Sequence, residues 1–399
     1  MNMPAVSTLV WMKWPTNTGY ALTSLEQVFY ETALRLAADD PDRVYFAYTD
    51  LSGGAPTSLP AAFPHVGALD LTRADLDLDV VTRYVRDRAI DLVLVFDLQP
   101  AHRTFSAMRQ GGVTAIVCYW GAPISSTMPA WRRWLKRAAL WLDRSRADGM
   151  IFESQAMADL ALHGRGATAS MVEVVPLGVD TDAIRPAPSR YVHEALGIPP
   201  GQKVIVFSGH CTPRKGIKTL IEAAIELLTA RRRADCHFVL CGNRAGEDVP
   251  YRQMYAGLGI DERIRFAGFR TDIIAIFQSA YCGVIPSSGW DSFTLSSVEM
   301  AATGLPVVAS RLQGLAEAVV DGETGLLFEP GNAKALADCL DALLDDEARA
   351  RRYGDAGRAR SERELTRAQQ ATRLEAALRR RLPMAEATTA STPTVTQRL

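Results

Sequence analysis

Ser287-Ser-Gly-Trp-Asp291-Ser-Phe-Thr-Leu-Ser-Ser-Val-Glu299-Met-Ala-Ala-Thr-Gly304-Leu-Pro-Val-Val308 organises the rest of the chain. Two carboxylates, Asp291 and Glu299, lie eight positions apart. The first sits in a Ser/Gly loop and the second one to two turns into a predicted helix over 294–302. Ser292 or Thr294 is expected to cap that helix, its hydroxyl competing for the free amides of the first turn. Those amides and the helix dipole make a site for an anion, phosphate above all. Helical side chains lean toward the N-terminus, so Glu299 points back at whatever the anion belongs to. A carboxylate there gains by accepting hydroxyl donors such as those of a ribose. The competing reading is a solvated Glu on a surface helix, and the remaining sequence has to separate the two.

A length of 399 residues suggests two domains, each with its own core. Apolar residues at 48% and charged residues at 22% describe an ordinary globular protein. A formal net charge of −1 argues against a dedicated nucleic-acid binder. The six cysteines (118, 211, 236, 241, 282 and 339) form no C-x-x-C pair and read as buried reduced thiols. No apolar run approaches the roughly 18 residues of a membrane span. Met1 to Met12 lacks the pattern of a signal peptide, so a cytoplasmic location is expected.

Apolar runs separated by amphipathic segments recur along the chain. In the first half they are Ser7–Met12, Val44–Tyr48, Leu92–Phe96, Thr114–Tyr119, Met150–Phe152 and Val172–Val175. The loop Pro15-Thr-Asn-Thr-Gly19-Tyr20 precedes helical spacing over Leu25–Ala38. A strand, a glycine loop and a helix in succession bring backbone close to a ligand, although one glycine equally marks an ordinary turn. Val175 to Pro186 is turn-rich, which sets domains at 1–185 and 186–359. The alternation restarts at Lys203–Ser208 and runs through predicted helices over 216–230, 272–279 and 332–344. A basic helix is expected at 360–382, returning to the first domain, and 383–399 reads as a disordered tail. The fold class is α/β, two Rossmann-like domains facing one another across a cleft.

Several pieces of the second half together resemble the retaining glycosyltransferases of family 4, which have the GT-B fold. Ser208-Gly-His-Cys-Thr-Pro-Arg-Lys215-Gly216 resembles their Gly-Arg…Lys-Gly loop. Arg263 to Phe269 resembles the strand and turn beside the nucleotide base, and Asp291 to Glu299 is similar to the E-x7-E motif. Gly304 to Ser310, Gly314, Glu317 and Asp321-Gly-Glu-Thr-Gly325-Leu-Leu-Phe328 follow in order. The resemblance is strong over about 201–345 and weak before Pro176. It implies a nucleotide diphosphate sugar held by amides at Phe293, Thr294 and Leu295, with Lys215 and His210 on the phosphates. Glu299 would bind ribose, Asp291 the sugar and Phe269 the base side, while Gly19 would approach from the other domain. Lys215, Asp291 and Glu299 would carry the catalysis, with no metal and no cofactor. Asp77-Leu-Asp79 and Asp180-Thr-Asp182 read as a solvated helix face and a linker turn.

Three positions depart from the family pattern. Asp291 stands where Glu is usual and is shorter by about 1.5 Å. His210 stands where Arg is usual and carries only partial charge at neutral pH. Trp120 aligns with an N-domain His that faces the sugar, leaving Asp97 and His102 as candidate substitutes. An inactive nucleotide-sugar binder and a GT-B epimerase or phosphorylase therefore stand as alternatives to a transferase. One segment lies outside the motif. In Pro129–Arg146, Trp131, Trp134, Leu135, Ala138, Trp141 and Leu142 share a helical face opposite Arg132, Arg133, Lys136, Arg137 and Arg144. Either that face packs on the sheet, or it lies on an anionic bilayer at the inner face of the membrane, with a sugar or lipid-linked acceptor.

Overall fold

The computed structural model describes residues 4–124, 126–187 and 189–383. The first half contains β1 (Thr8–Met12), α1 (Tyr20–Leu36), β2 (Val44–Tyr48), β3 (Val66–Ala68), α2 (Leu78–Asp87) and β4 (Leu92–Phe96). It continues with α3 (Arg103–Gln110), β5 (Ala115–Trp120), α4 (Ala130–Leu142), β6 (Gly149–Phe152), α5 (Gln155–Gly164) and β7 (Val172–Val174). The second half opens with α6 (Tyr191–Leu196), β8 (Lys203–Ser208), α7 (Ile217–Ile225), β9 (Cys236–Cys241), α8 (Val249–Gln253) and β10 (Ile264–Gly268). Next come α9 (Ile273–Ser279), β11 (Cys282–Ile285), α10 (Leu295–Ala302), β12 (Val307–Ser310), α11 (Leu315–Ala318) and β13 (Gly325–Phe328). Helices α12 (Ala333–Asp345), α13 (Glu347–Glu364) and α14 (Arg367–Arg379) complete it.

The strands form two parallel sheets, ordered β3-β2-β1-β4-β5-β6-β7 and β10-β9-β8-β11-β12-β13. Parallel strands are covered on both faces, which is why β1, β4 and β5 are buried throughout and apolar at every position but Thr8. Strand order reverses at β1/β4 and at β8/β11, and ligands bind outside the carboxyl ends of strands at such points. The loops after β1, β8 and β11 therefore line the cleft. Gly216, which starts α7, has φ +71°, and an added Cβ would lie 1.7 Å from the Pro286 carbonyl oxygen. No other residue fits where those two loops cross.

Three expectations need correction. The helix expected at 360–382 is broken. Thr366 starts α14 with a capping box, its hydroxyl accepting from the Gln369 amide while the Gln369 side chain accepts from the Thr366 amide. Helix α13 packs on α10 in the second half and α14 packs on α1 in the first. Helix α1 begins at Tyr20, five residues before the expected start, which puts Gly19 at its N-cap. Helix α4 does not pack its Trp face on the sheet, for none of its residues is buried. The tail from residue 384 onward lies outside the described residues.

One core runs across both domains. Phe29 of α1 and Leu374 of α14 share it with Phe293, Val298 and Ala302 from the second half. The organising stretch is thus packed from behind by the opposite domain.

Candidate active site

The cleft encloses about 790 Å³ between the carboxyl ends of the two sheets, ample for a nucleotide-sized ligand. Gly19, His210, Lys215, Phe269, Asp291, Phe293, Thr294, Leu295 and Glu299 all line it. The structure thus brings together every residue that the motif comparison assigned to a donor.

Asp291, 4% exposed, accepts from Lys215 Nζ at 2.6 Å and from Ser287 Oγ at 2.6 Å. Arg214 stands 3.8 Å from the other carboxylate oxygen and stacks on Trp290. Burial lowers the Lys215 ammonium pKa, and Asp291 opposes that shift. Two cations therefore meet one carboxylate, leaving a net positive charge beside the start of α10. His210 adds a ring rather than a charge. Burial, then Lys215, Arg244 and Arg214, hold it below its ordinary pKa.

Neither hydroxyl expected to cap α10 does so. Ser292 Oγ donates to Glu153 at 2.7 Å, and Thr294 Oγ1 donates to Ser297 Oγ at 3.1 Å. A tertiary partner holds the Ser292 hydroxyl and a local one, within the first turn, holds that of Thr294, so no side chain claims the first amides of the helix. An uncapped N-terminus beside Lys215 and Arg214 suits a diphosphate. The Phe293 ring itself is packed in the shared core, so that position offers the ligand backbone alone.

Glu299 is 3% exposed and accepts from the Tyr20 hydroxyl, across the cleft, at 2.6 Å. Burial pushes its carboxyl up to about 7, with Tyr20 pulling the other way. Phe269 follows Gly268 at the end of β10 with 70% of its surface exposed, a free face for a planar base.

The three N-domain candidates do not line the cleft. Trp120 packs in the outer core with Phe152 and Leu98. His102 stands at the N-cap of α3 with Nδ1 2.8 Å from Thr104 Oγ1. Asp97, at φ +60°, pairs with Lys13 at 3.6 Å. The N-domain acid that does reach the cleft is Glu153, at the end of β6, and the sequence reading missed it. Glu153 is 4% exposed and pushed up to about 8, chiefly by burial, with Ser292 lowering it and Asp291 raising it. The legible signal was a Glu directly after the fully buried run Gly149–Phe152. Tyr20 and Arg244 were also missed, since nothing local to either marks it as lining the cleft.

Residues 190–360 match the family model described as Glycosyl transferases group 1. Residues 25–183 match the one described as Glycosyltransferase Family 4. The two matches fall on the two Rossmann-like domains in turn, so each half is similar to a glycosyltransferase domain and the pair has the GT-B fold. Among curated relatives, the D-inositol 3-phosphate glycosyltransferase of Corynebacterium glutamicum (strain R) is 34% identical over 217 residues, 52% of this chain and 52% of that protein. Its counterpart in Corynebacterium efficiens is 36% identical over 206 residues, 50% of this chain and 48% of that protein. The chain thus spans about half the length of the curated relatives it matches. Anabaena HepE in complex with UDP superposes with a TM-score of 0.75 at 20% identity, covering 93% of this chain and 99% of that one. A Rickettsia africae glycosyltransferase gives 0.78 at 15% identity, covering 95% and 100%. Both structures share the two-domain fold.

Proposed function

We propose that the protein moves a sugar from a nucleotide diphosphate sugar to an acceptor hydroxyl, with retention and without a metal, in polysaccharide or glycolipid assembly. One observation carries this reading. Lys215, largely covered, meets buried Asp291 at the uncapped start of α10, and Glu299 follows on the same helix. The diphosphate lies on the free amides and Lys215, the ribose on Glu299, and the sugar between Asp291 and Glu153. The bond from the anomeric carbon to the phosphate oxygen breaks as the bond to the acceptor oxygen forms on the same face. The acceptor's proton passes to the departing phosphate oxygen. Charge grows on that phosphate, so fixed cations and amides stabilise the transition state more than the ground state. Arg214 and Lys215 supply the positive charge that a metal would otherwise bring. The relatives' D-inositol 3-phosphate and HepE's UDP belong to those proteins, and the second agrees with a nucleotide-sugar donor.

A panel of UDP, GDP and ADP and their sugars tests the reading by thermal shift. A ligand at 100 times its Kd adds about 2.7 kcal/mol of stability. With the donor so identified, Lys215→Ala should cut kcat by about a hundredfold or more. EDTA should change nothing, and the product's anomeric configuration should match the donor's. No shift with any nucleotide would overturn the proposal. Trp120, turned away from the cleft, favours a second reading, a binder without turnover. A thermal shift with no transfer or donor hydrolysis would establish it.

A further inference from the structure

Helix α4 carries the largest cluster of exposed apolar side chains among the described residues. Trp131, Trp134, Leu135, Trp141 and Leu142 are 61%, 69%, 53%, 71% and 70% exposed. Scattered exposed apolar residues are normal, but three tryptophans on one face of a 13-residue helix are not. Helix α4 is held to the domain by its opposite side. Arg133 reaches His163 Nδ1 at 2.7 Å, Arg137 reaches the Ala167 carbonyl at 3.3 Å, and Leu140 packs on the outer core. The backbone at Lys136–Arg137 lies against Gly166, where an added Cβ would stand 2.5 Å from the Arg137 amide. The close approach at Gly166 fixes which face of α4 looks outward, and it is the apolar one.

We propose that this face is a docking surface for an anionic lipid bilayer. Charge selects the occupant. Arg132, Lys136 and Arg144 are exposed around the apolar side chains, and Asp143 is the one acid between Pro129 and Arg146. A second copy of the chain would bring one basic rim against another, whereas an anionic surface complements it. Trp rings settle at the headgroup level, and a helix of this kind sinks about 5–10 Å into the boundary. Helix α4 belongs to the same domain as Gly121 and Glu153, which line the cleft, so docking holds that domain against the membrane. The docking surface itself does not depend on the proposed chemistry.

The test is sedimentation of the full chain with phosphatidylcholine vesicles, with and without phosphatidylglycerol. Binding is expected to the mixed vesicles at about 0.05 M salt, to weaken by about 0.5 M as charges are screened, and to be absent on phosphatidylcholine alone. Tryptophan emission should shift to the blue on binding. Trp131→Ser/Trp134→Ser/Trp141→Ser should melt like the unaltered chain and partition about tenfold less or worse. Arg132→Glu/Lys136→Glu should lose the preference for anionic lipid. No sedimentation at low salt would overturn the proposal, and so would wild-type partitioning by both variants. Self-association that the triple Ser change abolishes, without vesicle binding, would assign the face to a second copy instead.

Discussion

Glu299 is held by three opposed influences. Burial favours its protonated form, the Tyr20 hydroxyl favours its carboxylate, and a ribose would favour the carboxylate more by offering two donors. With the carboxyl at about 7, protonation competes with nucleotide binding. Raising the pH from 6 to 8 takes such a group from mostly protonated to mostly ionised, so affinity for a nucleotide sugar should rise about tenfold and then level off. A nucleotide sugar is the right probe, because its phosphate diester does not titrate in that window. His210, held below its ordinary pKa, adds no charge that would mask the trend above neutrality. Calorimetric titration of Glu299→Gln should give weaker binding that has lost the rise centred near 7, leaving only the change toward 8 that belongs to Glu153. An unchanged slope in that variant would remove Glu299 from the nucleotide site. Asp291 and Lys215 are coupled differently. Each neutralises the other out of water, and removing one leaves an uncompensated buried charge that costs about 3–5 kcal/mol. Loss of activity in Asp291→Ala therefore needs a folding check before it is read as lost chemistry.

Among the elements, α1 and α10 meet across the cleft with their N-termini lining it, and neither has a side-chain cap. Gly19 separates folding from function here. An added Cβ at Gly19 meets nothing within 4 Å in the protein itself. Gly19→Ala should therefore melt within about 0.5 kcal/mol of the unaltered chain. If the backbone of Gly19 approaches the diphosphate, the same change should lower kcat/KM about tenfold or more. Normal kinetics with the donor would show that α1 stands clear of the phosphates. The strands were readable in the sequence because parallel strands are apolar on both faces, and Val44–Tyr48, Leu92–Phe96 and Lys203–Ser208 match residue for residue. The start of α1 was not readable, since Gly19 brings no Ser, Asp or Asn signal. The α10 cap was misread because Ser292 spends its hydroxyl on Glu153, 139 positions away. Such contacts belong to the tertiary fold, and a helix-start rule cannot see them. Trp120 fails for a related reason. A one-residue offset at a strand end sends the side chain to the opposite face, and Trp120 takes the outer one.

At the scale of the whole molecule, Arg358 and Gln278 bond to the linker carbonyls of Thr181, Ile184 and Arg185, and three further sets of hydrogen bonds join the domains at or beside the cleft. Tyr20 donates to Glu299, Ser292 donates to Glu153, and the amides of Gln155 and Ala156 donate to the Glu317 carboxylate at 2.8 and 2.7 Å. The first two lie among groups that a donor would use, so binding must exchange them for ligand contacts. The third is different. Glu317, from the second domain, caps the N-terminus of α5 in the first, and it has no cleft-lining role to surrender. A carboxylate at a helix N-terminus contributes about 0.5–2 kcal/mol, enough to bias an equilibrium between two domain arrangements without fixing it. Glu317 is thus suited to hold the domains together while the first two bonds are exchanged. Water leaves the cleft as it closes, and the cations beside Asp291 act more strongly in its absence. Glu317→Ala should then increase the radius of gyration of the free protein in small-angle scattering, and the donor should reverse that increase. Its kcat should fall by more than its affinity for the nucleotide alone, because nucleotide contacts need one domain and the closed site needs both. A variant with an unaltered radius and unaltered kcat would show that the shared core, with Phe29 against the domain of Phe293 and Val298, holds the closed form without help from Glu317.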